Sequence, residues 1–223
     1  MSWIDLGNPA PLEAPQMCVP RPWPEGKVRL LSDEHLDVPA TFQHIASTRH
    51  SRRDFYPSED PRLGQLLDMT CRARTVISHQ LGFPQTSRPA PSAGAIHPVH
   101  VILHRFDDPG WSRYDPMKHA LIELPSSVTP SSVRRGLNEV LPGAAATIIL
   151  FAAEPALTFA KYRHACSLIW RDAGVLQGFF SAAAEALALN CCLLGVTGEP
   201  WVSRLVEQKT LIGVGAAYVG SSS

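Results

Sequence analysis

Residues 144–155 read AAATIILFAAEP, and the unbroken apolar run within them decides how the chain must be layered. Successive side chains of a strand point to opposite faces, so a strand with one wet face alternates apolar and polar residues. From Ile148 to Ala153 there is no polar residue at all. Such a strand is expected to be covered on both faces.

Outward from this strand, VHVILHRF (99–106) reads as another, and WSRYDPMKHALIEL (111–124) as two short strands around an Asp-Pro turn. A helix is predicted near 131–139 and a long one over about 158–189. NCCLLGVTG (190–198) reads as a strand and turn, PWVSRLVEQ (200–208) as a short helix with Pro200 at its start, and KTLIGVGAAYVG (209–220) as a closing strand. Nearer the N-terminus, a short helix is predicted over about 40–47. Another is predicted over about 60–80, with Leu63, Leu66, Leu67 and Cys71 on one side. In the long helix Gly174, Gln177, Ser181 and Glu185 form a small-or-polar stripe, while the other faces carry Val, Leu, Phe or Ala. A helix apolar nearly all round is buried, and a subunit interface is the expected place.

The 223 residues, 45% hydrophobic and 18% charged, fit one folded domain with a substantial core. Residues 1–38 hold six of the twenty prolines and read as an extended arm, leaving 39–223 as the domain. Lys+Arg and Asp+Glu each total 20, so no net field favours nucleic acid or an anionic membrane. The five cysteines contain no CxxC pair, which argues against a disulfide framework or zinc knuckle and fits a reducing cytoplasm. The opening MSWIDLGNPAPLEAPQ lacks the basic and apolar regions of a signal peptide. The most apolar stretch, Gly174 to Val196, contains Gln177, Ser181, Glu185 and Asn190, so a membrane span is not expected.

Three stretches carry chemistry. In TRHSRRDF (48–55), an extended backbone puts Arg49, Ser51 and Arg53 on one face, where two guanidinium forks and a hydroxyl suit a phosphate. The competing reading is a solvated basic loop. In RPAPSAGAIHPVH (88–100), a Ser-Ala-Gly turn offers backbone amides, and Gly94 permits close approach to a flat ligand. An ordinary Pro/Gly loop reads the same way. In FAKYRHACSLIWRDAG (159–174), Lys161 and Tyr162 are adjacent at the start of the long helix. An ammonium stabilises a neighbouring phenolate, which makes Tyr162 a candidate general base; the alternative is a surface lysine beside a half-buried tyrosine. No metal site is expected. Of His97, His100 and His104 only the last two share a strand face, about 13 Å apart, too far to hold one ion. GVGAAYVG lacks dinucleotide-fingerprint spacing, and no G-x-S-x-G is present.

Taken in order, RHSRRDF (49–55), PSAGAIHPV (91–99), WSRYDPMKHALIEL (111–124) and KY…DAG (161–174) resemble the nitroreductase superfamily of FMN enzymes. PSAGAIHPV and RYDPMKHAL are similar to the SagB-type dehydrogenases, which oxidise thiazoline and oxazoline rings to thiazoles and oxazoles in peptide natural products. The resemblance covers about residues 40–218. It implies an α+β fold, a mixed and mostly antiparallel sheet flanked by helices, and a homodimer formed through the long helix with FMN at the interface. By the same resemblance Arg49, Ser51 and Arg53 hold the FMN phosphate and ribityl chain, and His50 matches a common family residue that often contacts flavin through its backbone. Pro91, Ser92, Ala93 and Gly94 lie beside the flavin ring, Leu194, Gly195 and Val196 near its opposite region, and Lys161 and Tyr162 are the catalytic pair. The implied partners are an azoline substrate, small or peptide-borne, and other biosynthetic proteins.

The chain also departs from the family pattern. Arg163 and Ala165 stand where KYGxR has glycine and arginine, Gly178-Phe179 replaces a Gln-Asn pair, and nothing basic follows Lys209. Competing functions on the same fold are a NAD(P)H-dependent nitro or quinone reductase, an oxidase of another C–N or C–C bond, and a flavin-free scaffold subunit.

Overall fold

The structure, a computed structural model, describes residues 6–34, 37–38, 40–57, 60–143, 145–206 and 210–222. In chain order its first elements are β1 (Ala10–Pro11), β2 (Val28–Leu30), α1 (Phe42–Thr48), α2 (Asp60–Cys71), β3 (Thr75–Ser78), β4 (Gln85–Ser87) and β5 (Val99–His104). There follow β6 (Trp111–Asp115), β7 (Ala120–Leu124), α3 (Pro130–Asn138), β8 (Thr147–Ala153) and α4 (Pro155–Phe159). The last are β9 (Tyr162–Arg163), α5 (Cys166–Ala186), β10 (Leu189–Leu194) and β11 (Ile212–Ser221).

The apolar run is β8, and all of it is buried. Alternation sends Ile149, Phe151 and Ala153 into one core and Ile148, Leu150 and Ala152 into another. β8 therefore lies inside a seven-stranded sheet of order β10-β11-β8-β5-β6-β7-β2, covered on both faces as its composition requires. The expected antiparallel character is met in every described pairing of this sheet.

Helix α5 covers the first face, sending Ile169, Ala173, Leu176, Phe180 and Ala184 into the core beside Leu63, Leu66 and Leu67 of α2. Phe180 meets Phe151 edge to face at 5.3 Å. Burying each such Leu, Ile or Phe contributes about 1.5–3 kcal/mol, enough to hold the helix without help from capping. The second face is closed by Val133 and Leu137 of α3 and by Val202, Leu205 and Val206. Local signals fix the remaining ends. Thr41 and Thr129 cap α1 and α3 by accepting from the amides of His44 and Ser132, and Pro130 opens α3. Asp115 Oδ1 accepts from the amides of Met117 and Lys118, which closes the β6–β7 turn.

Four segments differ from the sequence reading. The helix expected to reach residue 80 stops at Cys71, because Arg72 and Arg74 both turn back onto the Asp68 carboxylate and the β-branched stretch after them pairs with β4. The long helix begins at Cys166 rather than near 158. Its expected first turns are the short α4, then β9, then His164 at φ 51°, a left-handed backbone that no helix continues through. The stretch 200–208 holds a single 3₁₀ turn, Val202–Arg204, and residues 207–209 lie outside the described residues. In the N-terminal segment, read as an arm apart from the domain, the described residues lie on their own chain: β1 pairs with β9, and β2 edges the main sheet.

The stripe on α5 is also placed differently. Gln177 faces inward and donates to the Val214 carbonyl at 3.1 Å, and Glu185 is taken by Arg52. The side left to solvent carries Trp170, Val175 and Phe179 at 45, 38 and 40% exposure, with Arg171 as its one charged residue. Among the described residues no helix is long and apolar enough to cross a membrane.

Candidate active site

Two parts of the candidate site are anchored at opposite ends of α5. At the C-terminal end, residues 49–55 follow α1 as neither helix nor strand. Arg52, the odd member of the alternation, turns inward: its Nη2 lies 2.8 and 3.1 Å from the two oxygens of Glu185, and its amide donates to the Cys191 carbonyl. Burial alone would raise the Glu185 carboxyl. Hydrogen bonds from Arg52 and Thr48 and the charges of Arg52 and His50 outweigh it and hold the carboxyl below its ordinary range. With Arg52 committed, Arg49, His50, Ser51 and Arg53 are left exposed. His50, Ser51, Arg52 and Arg53 line an open cleft of about 560 Å³ with Asp54, Tyr56, Asn190 and Ser222; Arg49 is not among its lining residues. No carboxylate among the described residues is paired with Arg49 or Arg53. The Arg53 guanidinium beside the Ser51 hydroxyl in an open cleft fits a phosphate, with Arg49 exposed outside the cleft.

At the N-terminal end, Asp172 holds the Ser-Ala-Gly turn. Its carboxylate accepts from the Ser92 hydroxyl at 2.6 Å and from the Ala93 amide at 3.1 Å. Ser92 Oγ in turn accepts from the His97 amide, and Gln85 Nε2 donates to the Gly94 carbonyl at 2.7 Å. Burial raises the Asp172 carboxyl above its ordinary range in spite of these donors. The amide of Ala93 is thus not offered to a ligand, contrary to the sequence reading; it fixes the turn. Pro91 is exposed, and Ser92, Ala93 and Gly94 are half-buried.

Gly94 has φ 63°, and what it touches is decisive. A methyl group there would lie 2.8 Å from Tyr162 Oη and 2.9 Å from Lys161 Nζ. The two polar head groups of the lysine-tyrosine pair therefore meet at the bare α-carbon of the turn. Lys161 Nζ stands 5.7 Å from the Tyr162 ring centroid, within cation–π reach. The ring packs against Leu81, Phe83, Ile96 and Leu157. A Gly94→Ala variant is expected to keep its fold at a strain of about 1–2 kcal/mol, read by thermal melting. Turnover should fall about tenfold or more, because both head groups must move aside.

The third expected group is only partly available. Leu194 is buried and Val196 packs against the same core, so of the three only Gly195 is exposed, with open space beside its α-carbon. The three histidines do not converge: His97 Nε2 contacts the Thr86 carbonyl, His100 the Glu154 carboxylate and His104 the Asp108 carbonyl.

His97 supports the turn from below. Burial first, and then the charge of Arg88, lower its pKa from 6.5 to about 4, against a smaller opposing effect of the Thr86 carbonyl. The unfolded chain binds a proton here at a higher pH than the folded one does. The contribution is therefore fully present above about pH 6.5 and lost as pH falls toward 4, with an overall size on the order of 3 kcal/mol. Melting temperature should drop across that window, and a His97→Gln variant should show a shallower slope.

Sequence reasoning did not single out Asp172, Gln85 or the Arg52–Glu185 pair. Asp172 stands within the DAG of the third motif and Arg52 within TRHSRRDF, whereas Gln85 carries no such signal.

The antiparallel central sheet, with α5 packed on one face and α3 on the other, is an α+β fold. The chain belongs to the nitroreductase family, whose model matches residues 46–212. Members of that family are oxidoreductases and generally bind FMN. No curated protein matches the chain. Among solved structures, a nitroreductase-like protein from Ralstonia eutropha is 15% identical, with TM-score 0.62, over 94% of this chain and 98% of that one. The E. coli microcin synthetase McbBCD complex with truncated pro-MccB17 bound contains a chain 16% identical, with TM-score 0.59, over 87% of this chain and 78% of that one. A nitroreductase-like protein in complex with FMN from Desulfovibrio desulfuricans is 18% identical, with TM-score 0.51, over 81% and 88%. At these identities the likeness is one of fold.

Proposed function

We propose that this chain is an FMN-dependent oxidase that dehydrogenates a thiazoline- or oxazoline-type ring to the aromatic thiazole or oxazole. The observation that carries the reading is the meeting of Tyr162 Oη and Lys161 Nζ at Gly94, on a turn held rigid by Asp172. Arg49, Ser51 and Arg53 would hold the phosphate of the cofactor, and the Ser92–Gly94 turn and Gly195 would border its ring. The chemistry that bound FMN supplies is hydride acceptance, with oxygen as the final acceptor.

Tyr162 takes the ring proton of the azoline at Oη. Tyr162 does this as the phenolate and ends as the neutral phenol, and Lys161 Nζ, which meets Oη at Gly94, is the cation that stabilises the phenolate before the proton arrives. The apolar wall of Leu81, Phe83, Ile96 and Leu157 excludes water from the ring of Tyr162. Gly94, lacking a side chain, leaves room for both head groups to meet there.

The site is completed by a second copy of the chain. Asp172 and Glu185 are thirteen residues apart, about 20 Å along α5, so the Ser92 turn and the arginine segment do not converge within one protomer. Packing two α5 helices antiparallel through Trp170, Val175 and Phe179 sets the turn of one protomer beside the arginines of the other. The fold shared with a chain of the microcin synthetase complex supports a peptide-borne substrate and partner proteins in the same machine.

Incubation of the purified yellow protein with a model peptide azoline should produce a loss of two hydrogens by mass spectrometry. Rapid bleaching of the flavin by NAD(P)H, with no mass change in the azoline, would point instead to a nitro or quinone reductase.

A further inference from the structure

The N-terminal segment lies antiparallel along the stretch that carries Lys161 and Tyr162. Ala10 stands opposite Arg163 and Pro11 opposite Tyr162. The Leu12 amide donates to the Lys161 carbonyl, and the Gln16 amide to the Ala160 carbonyl, each at 2.8 Å. Farther along, the Arg21 amide donates to the Glu154 carboxylate at 2.6 Å, just before α4 begins. That end is fixed: Arg21 is 7% exposed, its guanidinium lies 4.6 Å above the Trp23 ring, and Glu154 also contacts His100 Nε2 at 3.0 Å. Between these anchors the Cys18 amide donates to the Leu81 carbonyl, and Cys18 packs into the apolar wall that holds the Tyr162 ring.

We propose that residues 10–21 are a clamp that sets where Lys161 and Tyr162 stand against Gly94, making this segment a positioning element of the active site. The inference rests on the catalytic reading of those two residues. β9 is two residues long, and β1 is its sheet partner. A strand that short does not keep its backbone without a partner. The head groups at Gly94 are set by that backbone, and displacements near 1 Å in a reacting pair cost about a hundredfold in rate. Among the described residues the arginine segment makes no hydrogen bond or ion pair with residues 10–21, so the clamp acts on rate and leaves cofactor uptake alone.

The test uses the full-length, FMN-loaded protein. Leu12→Pro with Gln16→Pro deletes the two amide donors; Leu12→Ala with Gln16→Ala keeps them. The proline pair is expected to take up FMN with unchanged stoichiometry, to exchange the amides of residues 160–163 at least tenfold faster, and to lose tenfold or more in kcat at unchanged KM. The alanine pair should stay within twofold of the parent. Should the proline pair not fold, Leu12→Pro alone should lower kcat threefold or more. Parent-like kcat in a folded proline variant overturns the clamp, provided that Tyr162→Phe is slow in the intact background. Full turnover by Tyr162→Phe overturns the catalytic reading, and the clamp falls with it.

Discussion

Replacing Arg49 and Arg53 together by alanine is expected to strip the protein of FMN and leave its fold standing. Both side chains are exposed, and neither is paired with a carboxylate among the described residues, so their loss removes no internal contact of note. Exposed changes of this kind stay within about 0.5 kcal/mol in stability. Hydrogen bonds to a charged partner contribute about 1.5–3 kcal/mol each. Losing two therefore weakens FMN binding by about a hundred- to ten-thousandfold, measurable by flavin fluorescence titration. Arg52→Ala is the informative contrast. It leaves the buried Glu185 carboxylate without its cation, so melting temperature should fall even where FMN is in excess. Equal loss of FMN from the Arg52 variant and none from the Arg49/Arg53 variant would reverse the assignment.

The second large effect belongs to Tyr162. Phenylalanine keeps the ring among Leu81, Phe83, Ile96 and Leu157 and removes only Oη, so the variant should fold and take up FMN as the parent does. Removing a general base costs about a hundred- to ten-thousandfold in kcat. Lys161→Ala should cost less, about tenfold, because it removes a stabilising charge and leaves the base in place. Unimpaired azoline oxidation by Tyr162→Phe would exclude it as the base.

Much of the fold is legible from periodicity. The apolar run of β8 demands two covering layers, and the spacing of Ile169, Ala173, Leu176 and Phe180 demands a helix on one of them. The β6–β7 turn is written in Asp115-Pro116 because the bonds that close it are local. The missed boundaries depend on partners distant in sequence. α2 ends where Arg72 and Arg74 fold back on Asp68 and a second strand is at hand. The long helix starts late because β9 is held by residues roughly 150 positions earlier, through backbone bonds that leave no signature in side-chain pattern.

The site divides in the same way. Alternation groups Arg49 with Ser51 and Arg53, yet the cleft takes His50 and Arg52 beside Ser51 and Arg53 and leaves Arg49 out, and only the tertiary structure supplies Glu185 as the partner of Arg52. Gly94 was read as a place of close approach, and the groups that approach it in this chain are Tyr162 and Lys161 themselves. Asp172 sits eighty positions from Ser92 and could be noticed only as part of a motif.

The central claim is most directly tested by weighing the purified protein and reading its visible spectrum after exhaustive dialysis and reloading with FMN. The account predicts a two-chain particle carrying one FMN per chain. A monomer that stays colourless in excess FMN would contradict it.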